Sequence, residues 1–376
     1  MLCEMTNQSP TVAVILSACA AVIASQALIT GSYSLVSEAT HLNLFPHLNT
    51  KYPSETKGQL YIPAINMALW IGCCFVVLYF KSGSAIESAY GLAITVTMLM
   101  TTLLLSTYLA FVKKKVYLAI PVLVIFGAIE FVFFISSLSK FSEGGYITAI
   151  IALLIFAIML IWNRGTRLEK RFKVGLNIKH YIDAIDALRN DESIPYTADN
   201  IVYLENENDL QSVDRDILYS ILDKNPKRAK AYWFINVATS DDPNTMEYSV
   251  ETFGTDFMYF VSFTLGYKVE NSINAYFRQV VADLSASGEL PSQDRQHSIY
   301  GPSNIGTFKF VFLRKVIQKN ISLSNVDASV LRLKYAIRKL FGSRETWYGF
   351  DTSTQIIETV PLFIANKKVK KLTRKK

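Results

Sequence analysis

Hydrophobic and polar positions alternate on two different scales along this chain, and the change comes at Arg164. Before it lie long apolar runs at about 11–36, 61–80, 84–112, 116–139 and 145–163. Each approaches or exceeds the roughly 20 residues an α-helix needs to cross a hydrocarbon core. After it charges recur every few residues, and apolar runs shorten to strand length. LNIKHYIDAIDALRN (176–190), DRDILYSILDKN (214–225), SINAYFRQVVADLSA (272–286) and DASVLRLKYAIRKLFG (327–342) have the spacing of one-faced helices. NIVYLEN (200–206), KAYWFINVAT (230–239) and GTFKFVFLRKVI (306–317) read as strands, and TDFMYFVSFTLGYKV (255–269) as a longer strand or a hairpin. The pattern predicts an α-helical membrane domain over 1–163, a soluble α/β or α+β domain over 164–365, and a polybasic tail over 366–376.

Composition adds little to this division and excludes several classes. The chain has 376 residues, is 51% apolar, and carries a formal net charge of +7. Much of that charge sits in the tail NKKVKKLTRKK and in short basic loops, so nucleic acid is not implied as a partner. A lipid surface is one partner the tail fits, at about 1 kcal/mol per basic residue held near anionic headgroups. Cys3, Cys19, Cys73 and Cys74 show no C-x-x-C spacing, and the histidines His41, His47, His180 and His297 no ligand spacing. The cysteines read as small packing residues. The soluble half contains no G-x-G-x-x-G, P-loop, H-E-x-x-H or nucleophile elbow, and Asp241, Asp242 and Pro243 read as a turn. Neither an enzyme nor a cofactor is expected.

Lysine and arginine set the orientation. WNRGTRLEKRFK (162–173) and Lys113 to Lys115 mark the inner side, as do Lys51 and Lys57, whereas the turns KSGS (81–84) and KFSEGG (140–145) fall outside. Five crossings that end inside put Met1 outside without a signal peptide before the first run. That parity predicts a chain whose earlier helices are missing.

Candidate chemistry is confined to a few polar groups within the apolar runs. TVAVILSACAAVIASQALITGSYSLVSE (11–38) carries Ser25, Gln26, Thr30, Gly31, Ser32 and Tyr33 in its second half, more than an anchor needs. Ser25, Gln26 and Ser32 could give oxygen ligands to a cation, or simply let helices approach and hydrogen-bond. Glu130, in IFGAIEFVFF, is sharper: an acid mid-span costs about 3 kcal/mol and is expected to face the bundle interior, protonated or paired. It either serves an ion or proton pathway or is a protonated glutamate bonded to a neighbouring helix. Glu87 reads as a helix-start carboxylate. Tyr90 and Thr95 on the same run join the pathway candidates, with packing as the alternative. Asn66, just after Pro63, reads as packing more than as a ligand.

Three of these stretches, VIASQALITGSYSLVSEA (22–39), GQLYIPAINMALW (58–70) and SAYGLAITVTMLMTTLLL (88–105), resemble in order and spacing the KUP/HAK/KT potassium uptake transporters of bacteria and plants. The likeness continues, more weakly, through SIPYTADNIVYLEN (193–206) and ETFGTDFMYFVSFTLGYKVENSIN (251–274). Met67 stands where the family has tryptophan, and the family's GDIGTSPLY segment has no counterpart. The resemblance implies the last five of about twelve helices plus the cytoplasmic part, in a partial amino acid–polyamine–organocation superfold. It implies potassium–proton symport in the inner membrane, with an acidic side chain at the position of Glu130 and a homodimer or a missing N-terminal half as partner. Such a chain is not expected to transport alone. A membrane-tethered sensor and an organic-solute permease are the rival readings.

Overall fold

The computed structural model describes residues 10–54, 59–81, 83–205, 212–240, 242–270, 272–293, 305–316, 323–340 and 355–361. Cys3, Asp241, His297 and the tail 366–376 lie outside these. Two compact units are formed, one from residues 1–45 and 62–161, the other from 46–61 and 162–376.

The first unit is built from five helices, α1 (Pro10–His41), α2 (Pro63–Phe80), α3 (Gly83–Thr107), α4 (Val116–Ser139) and α5 (Gly145–Phe172). All five are long and apolar enough to cross a membrane. α2 starts on Pro63, whose missing N–H costs nothing in a first turn, and stops at Lys81 in a left-handed conformation. A single π-turn, Tyr108–Val112, extends α3 toward Lys113. α5 runs on past residue 163 to Phe172 and carries the basic Arg164–Arg171 stretch as helix. Most side chains on these helices are apolar and exposed, which in water would be untenable and in lipid is the expected state.

The second unit holds a six-stranded sheet in the order β5-β6-β4-β2-β7-β8, with β2 (Tyr196–Leu204), β4 (Arg228–Ser240), β5 (Met246–Glu251), β6 (Met258–Gly266), β7 (Phe308–Val316) and β8 (Gln355–Pro361). All neighbours are parallel except β5, which pairs antiparallel with β6 at one edge. Parallel strands are covered on both faces and so read as continuous apolar runs. Ala231 to Ile235 and Met258 to Val261 are buried without a break. One face packs against α8 (Ile273–Ser287), where Trp233 stacks on Tyr259 at 4.3 Å and meets Phe277 edge-on at 5.0 Å. The other face packs against α6 (Ile182–Asn190) and α7 (Arg215–Tyr219) through Ile185, Leu188, Ile217 and Leu218. The domain is α/β with one antiparallel edge.

Some sequence expectations need correction here. The stretch 176–190 is not one helix. It opens as β1 (Gly175–Asn177), paired antiparallel with β3 (Ser212–Asp214), then makes a 3-10 turn before α6. The Asn177 side chain accepts the Lys179 N–H and so breaks the helical pattern. The 255–269 segment is a single strand, and its antiparallel partner is β5, which lies before it in the chain. A last helix, α9 (Asn325–Leu340), packs Leu331 against Leu168 near the C-terminal end of α5. The 46–61 loop belongs to this unit too: Tyr52 and Tyr267 have ring centroids 4.9 Å apart.

Candidate functional site in the membrane helices

α4 contains one charged residue, Glu130, and buries it to 7% exposure. Burial is possible because α3 presents a polar stripe on the face it shares with its neighbours. Ser88, Thr95 and Thr102 recur every seven residues, two helical turns apart, and Ser106 follows one turn later. All four are buried.

Where those hydroxyl protons go decides what the stripe can do. A threonine in a helix ordinarily donates back to the carbonyl one turn earlier. Thr97 donates to Ala93 O at 2.8 Å and Thr101 to Thr97 O at 2.9 Å. Thr95 is shared between Gly91 O and Leu92 O at 3.1 Å each. Thr102 departs from this habit. Its Oγ1 donates across to Glu130 Oε1 at 2.8 Å. Glu130 Oε2 and Ser106 Oγ are buried without a hydrogen-bond partner. A cleft of about 320 Å³ opens beside them, lined by Glu130, Thr102, Thr101, Met98, Thr97, Ile94 and Ala93.

Other polar contacts tie the same bundle of helices together. Thr148 on α5 donates to Ala89 O on α3 at 3.1 Å, and the Tyr79 and Tyr146 hydroxyls meet at 2.6 Å. Gly145 sits at a close approach, where an added Cβ would lie 3.2 Å from Leu92, whereas one at Gly91 would make only ordinary contact, 3.9 Å from Ser137 Oγ.

Of the pathway candidates read from the sequence, Glu130 alone lines the cleft. Ser25 and Gln26 are exposed on α1, and Ser32 turns its hydroxyl onto Leu28 O of its own helix at 2.8 Å. Tyr90 is 63% exposed. Thr95 lies on the buried stripe of α3, its hydroxyl spent on its own helix. Asn66 lies near the start of α2, and Glu87 is exposed. Sequence reasoning missed Thr102. The signal was present as the seven-residue recurrence of small hydroxyl residues, which turns one polar stripe along an otherwise apolar helix.

The soluble unit treats its buried charges differently. Lys227 and Glu358, both nearly inaccessible, pair at 3.0 Å. The second Glu358 oxygen accepts from Ser220 at 2.7 Å. Burial pulls Lys227 below the usual lysine range, and Glu358 opposes the shift. Lys315 faces Asp214 and Asp216 at 3.4 and 2.6 Å. Burial would lower Lys315, yet the two carboxylates outweigh it and hold it above its ordinary value. Burial raises Asp216 against the pull of Lys315. Glu205 takes Lys173 at 3.0 Å and the Asp214 N–H at 2.9 Å. Lys334 reaches Glu169 at 2.6 Å and Thr166 at 3.0 Å, over the Trp162 ring. A small cleft of about 130 Å³ beside Arg189 and Lys230 has both cations already engaged, by Asp256 and Asp199. Among the described residues no three histidine, cysteine or acidic side chains gather as metal ligands.

A helical membrane unit with one half-satisfied buried carboxylate, joined to an α/β domain, defines an integral membrane protein. Comparison with known proteins gives the family. Residues 3–167 match the K+ potassium transporter integral membrane domain, and residues 198–361 the K+ potassium transporter C-terminal domain. The chain belongs to this potassium transporter family, whose matched relatives carry the names of transport proteins and not of enzymes. A "Probable potassium transport system protein Kup" of Bifidobacterium adolescentis is 46% identical over 371 residues, covering 98% of this chain and 57% of the relative. Proteins of the same name are 44% identical in Clostridium perfringens (94% of this chain, 53% of the relative) and 42% identical in Enterococcus faecalis (96% and 54%). The chain thus spans a little over half the length of these relatives. No solved structure matches it.

Proposed function

We propose that this chain forms part of a potassium transporter of the cytoplasmic membrane, driven by co-transport of protons, in which Glu130 takes part in the ion or proton pathway. The observation that carries the reading is the half-used carboxylate: an acid deep in an apolar helix, held through one oxygen, with the other facing no partner and a cleft alongside. An intramembrane acid is costly to keep, and a carboxylate able to take either a proton or a cation gives a transporter something for that cost. The names of the relatives support potassium as the cargo.

Positive residues support an inner location for the soluble domain, with Lys113 to Lys115 and Arg164 to Lys173 on the same side. The ring contact between Tyr52 and Tyr267 is in keeping with this, since it groups the 46–61 loop with that domain. The arrangement of inverted repeats with an ion site near the midplane is the architecture expected for such a transporter. Ser25, Gln26, Ser32, Tyr90 and Thr95 remain pathway candidates, to be completed by a second copy or by further helices.

The test places this chain in the corresponding stretch of the Enterococcus faecalis relative and expresses the chimera in cells deficient in potassium uptake. Rubidium influx should fall at least tenfold in Glu130→Gln at unchanged membrane abundance and survive in part in Glu130→Asp. Influx unchanged by Glu130→Gln overturns the assignment.

A further inference from the structure

We infer that Thr102 is the positioning residue of Glu130, holding Oε1 so that Oε2 alone receives the proton or cation; the inference rests on the function proposed above. Three observations converge on it. Thr95, Thr97 and Thr101 all spend their hydroxyl protons on carbonyls of α3 itself, and Thr107 does the same with Leu104 O. Thr102 has its proton on Glu130 instead. Both partners are more than nine-tenths buried, so losing the bond costs more than it would at an exposed surface. And the bond occupies one carboxylate oxygen only, which leaves Oε2 without a partner.

The choice of a hydroxyl follows from the chemistry required. A group that alternates between carboxylate and carboxylic acid needs a neighbour that serves both forms. A hydroxyl donates to Oε1 of the carboxylate and, once Oε2 carries the proton, goes on donating to Oε1 as the carbonyl oxygen of the acid. A lysine or arginine at position 102 would lock the carboxylate, and an apolar residue would leave it without support. Along these helices the nearest described charges are Lys113, 11 residues from Thr102 beyond the π-turn, and Glu87, 15 residues away or about 22 Å of helix, and α4 carries no charged residue besides Glu130. Ser106, one turn on and also buried without a partner, extends the same hydroxyl face.

The experiment uses the whole chain in lipid vesicles and dicyclohexylcarbodiimide, an apolar reagent that modifies a carboxyl group in its protonated form. Labelling of Glu130 is followed by mass spectrometry between pH 5 and 9. Loss of the bond to Oε1 removes support for the carboxylate, so Thr102→Val and Thr102→Ala should label faster than the natural chain on the alkaline side of the profile, by up to about tenfold. Thr102→Ser should restore the natural rate. Equal rates in the natural chain and both removal variants overturn the positioning role while leaving Glu130 as a proton acceptor. A serine variant that labels like the valine one also overturns it, because the hydroxyl is then not the agent. No labelling of Glu130 at any pH, in any variant, overturns the underlying reading of Glu130 as well.

Discussion

Two glutamates in this chain are buried to the same degree, Glu130 at 7% and Glu358 at 7% exposure, and they are treated in opposite ways. Glu358, in the sheet of the soluble unit, has both oxygens engaged, one by Lys227 and one by Ser220. Glu130, in a membrane helix, has one oxygen engaged by a neutral hydroxyl and the other by nothing. A fold that needs a buried charge pairs it fully, since an unpaired one is expensive. Half-satisfaction in the more apolar of the two settings fits the use proposed for Glu130, and full pairing fits a structural role for Glu358.

Breaking the paired site should give the largest effect. Glu358→Ala strands Lys227 in the interior, and removal of one partner of a buried pair costs about 3–5 kcal/mol. Lys224 also reaches Thr359 O, so the 220–227 segment holds β8 through more than one residue. Hydrogen exchange of β7 and β8 in the detergent-solubilised chain should speed up ahead of the rest of the sheet. Protection unchanged in β8 would mean the pair contributes little.

Overpacking near the C-terminal end of α5 comes next. A Cβ at Gly165 would lie 2.6 Å from Lys334 Cδ, so Gly165→Ala must displace the lysine from Glu169 and Trp162. A cost of about 1–3 kcal/mol is expected for such a collision. It should show as a lower melting temperature of the soluble unit and weaker protection of α9.

The smallest effect concerns acid. At Asp199 burial would raise the carboxyl, but hydrogen bonds from Thr307, Tyr196 and Lys230 outweigh it and hold the group below the usual carboxylate range. With the folded value below the unfolded one, the native state binds fewer protons. The stabilisation is thus present above about pH 4 and lost as pH falls through the folded value. Asp199→Asn should flatten the acid limb of a stability–pH curve and leave the neutral limb's shape unchanged. An acid limb of unchanged steepness would remove Asp199 from the account.

Much of this was legible in the sequence, for physical reasons that differ between the halves. Hydropathy alone locates helices that must satisfy every backbone group internally, and a lone acid in IFGAIEFVFF cannot hide in such a run. In the soluble half the doubly covered strands AYWFI and MYFV announce themselves. The exposed edge β5, MEYSVE, and the last strand, QIIETVP, lack an apolar run and were invisible. Thr102 was hidden for another reason. Its role depends on how α3 sits against α4, and a threonine in a helix looks the same whether its proton goes home or across.

The sharpest comparison sets Glu130→Gln beside Glu358→Gln in the chimeric transporter, with rubidium influx divided by folded protein in the membrane. The account predicts an abundant, inactive Glu130→Gln protein, and a scarce Glu358→Gln protein that transports normally per molecule. The reverse result, transport retained without the Glu130 carboxylate and lost per molecule without that of Glu358, would contradict the division between a carboxylate kept free for use and one bound for stability.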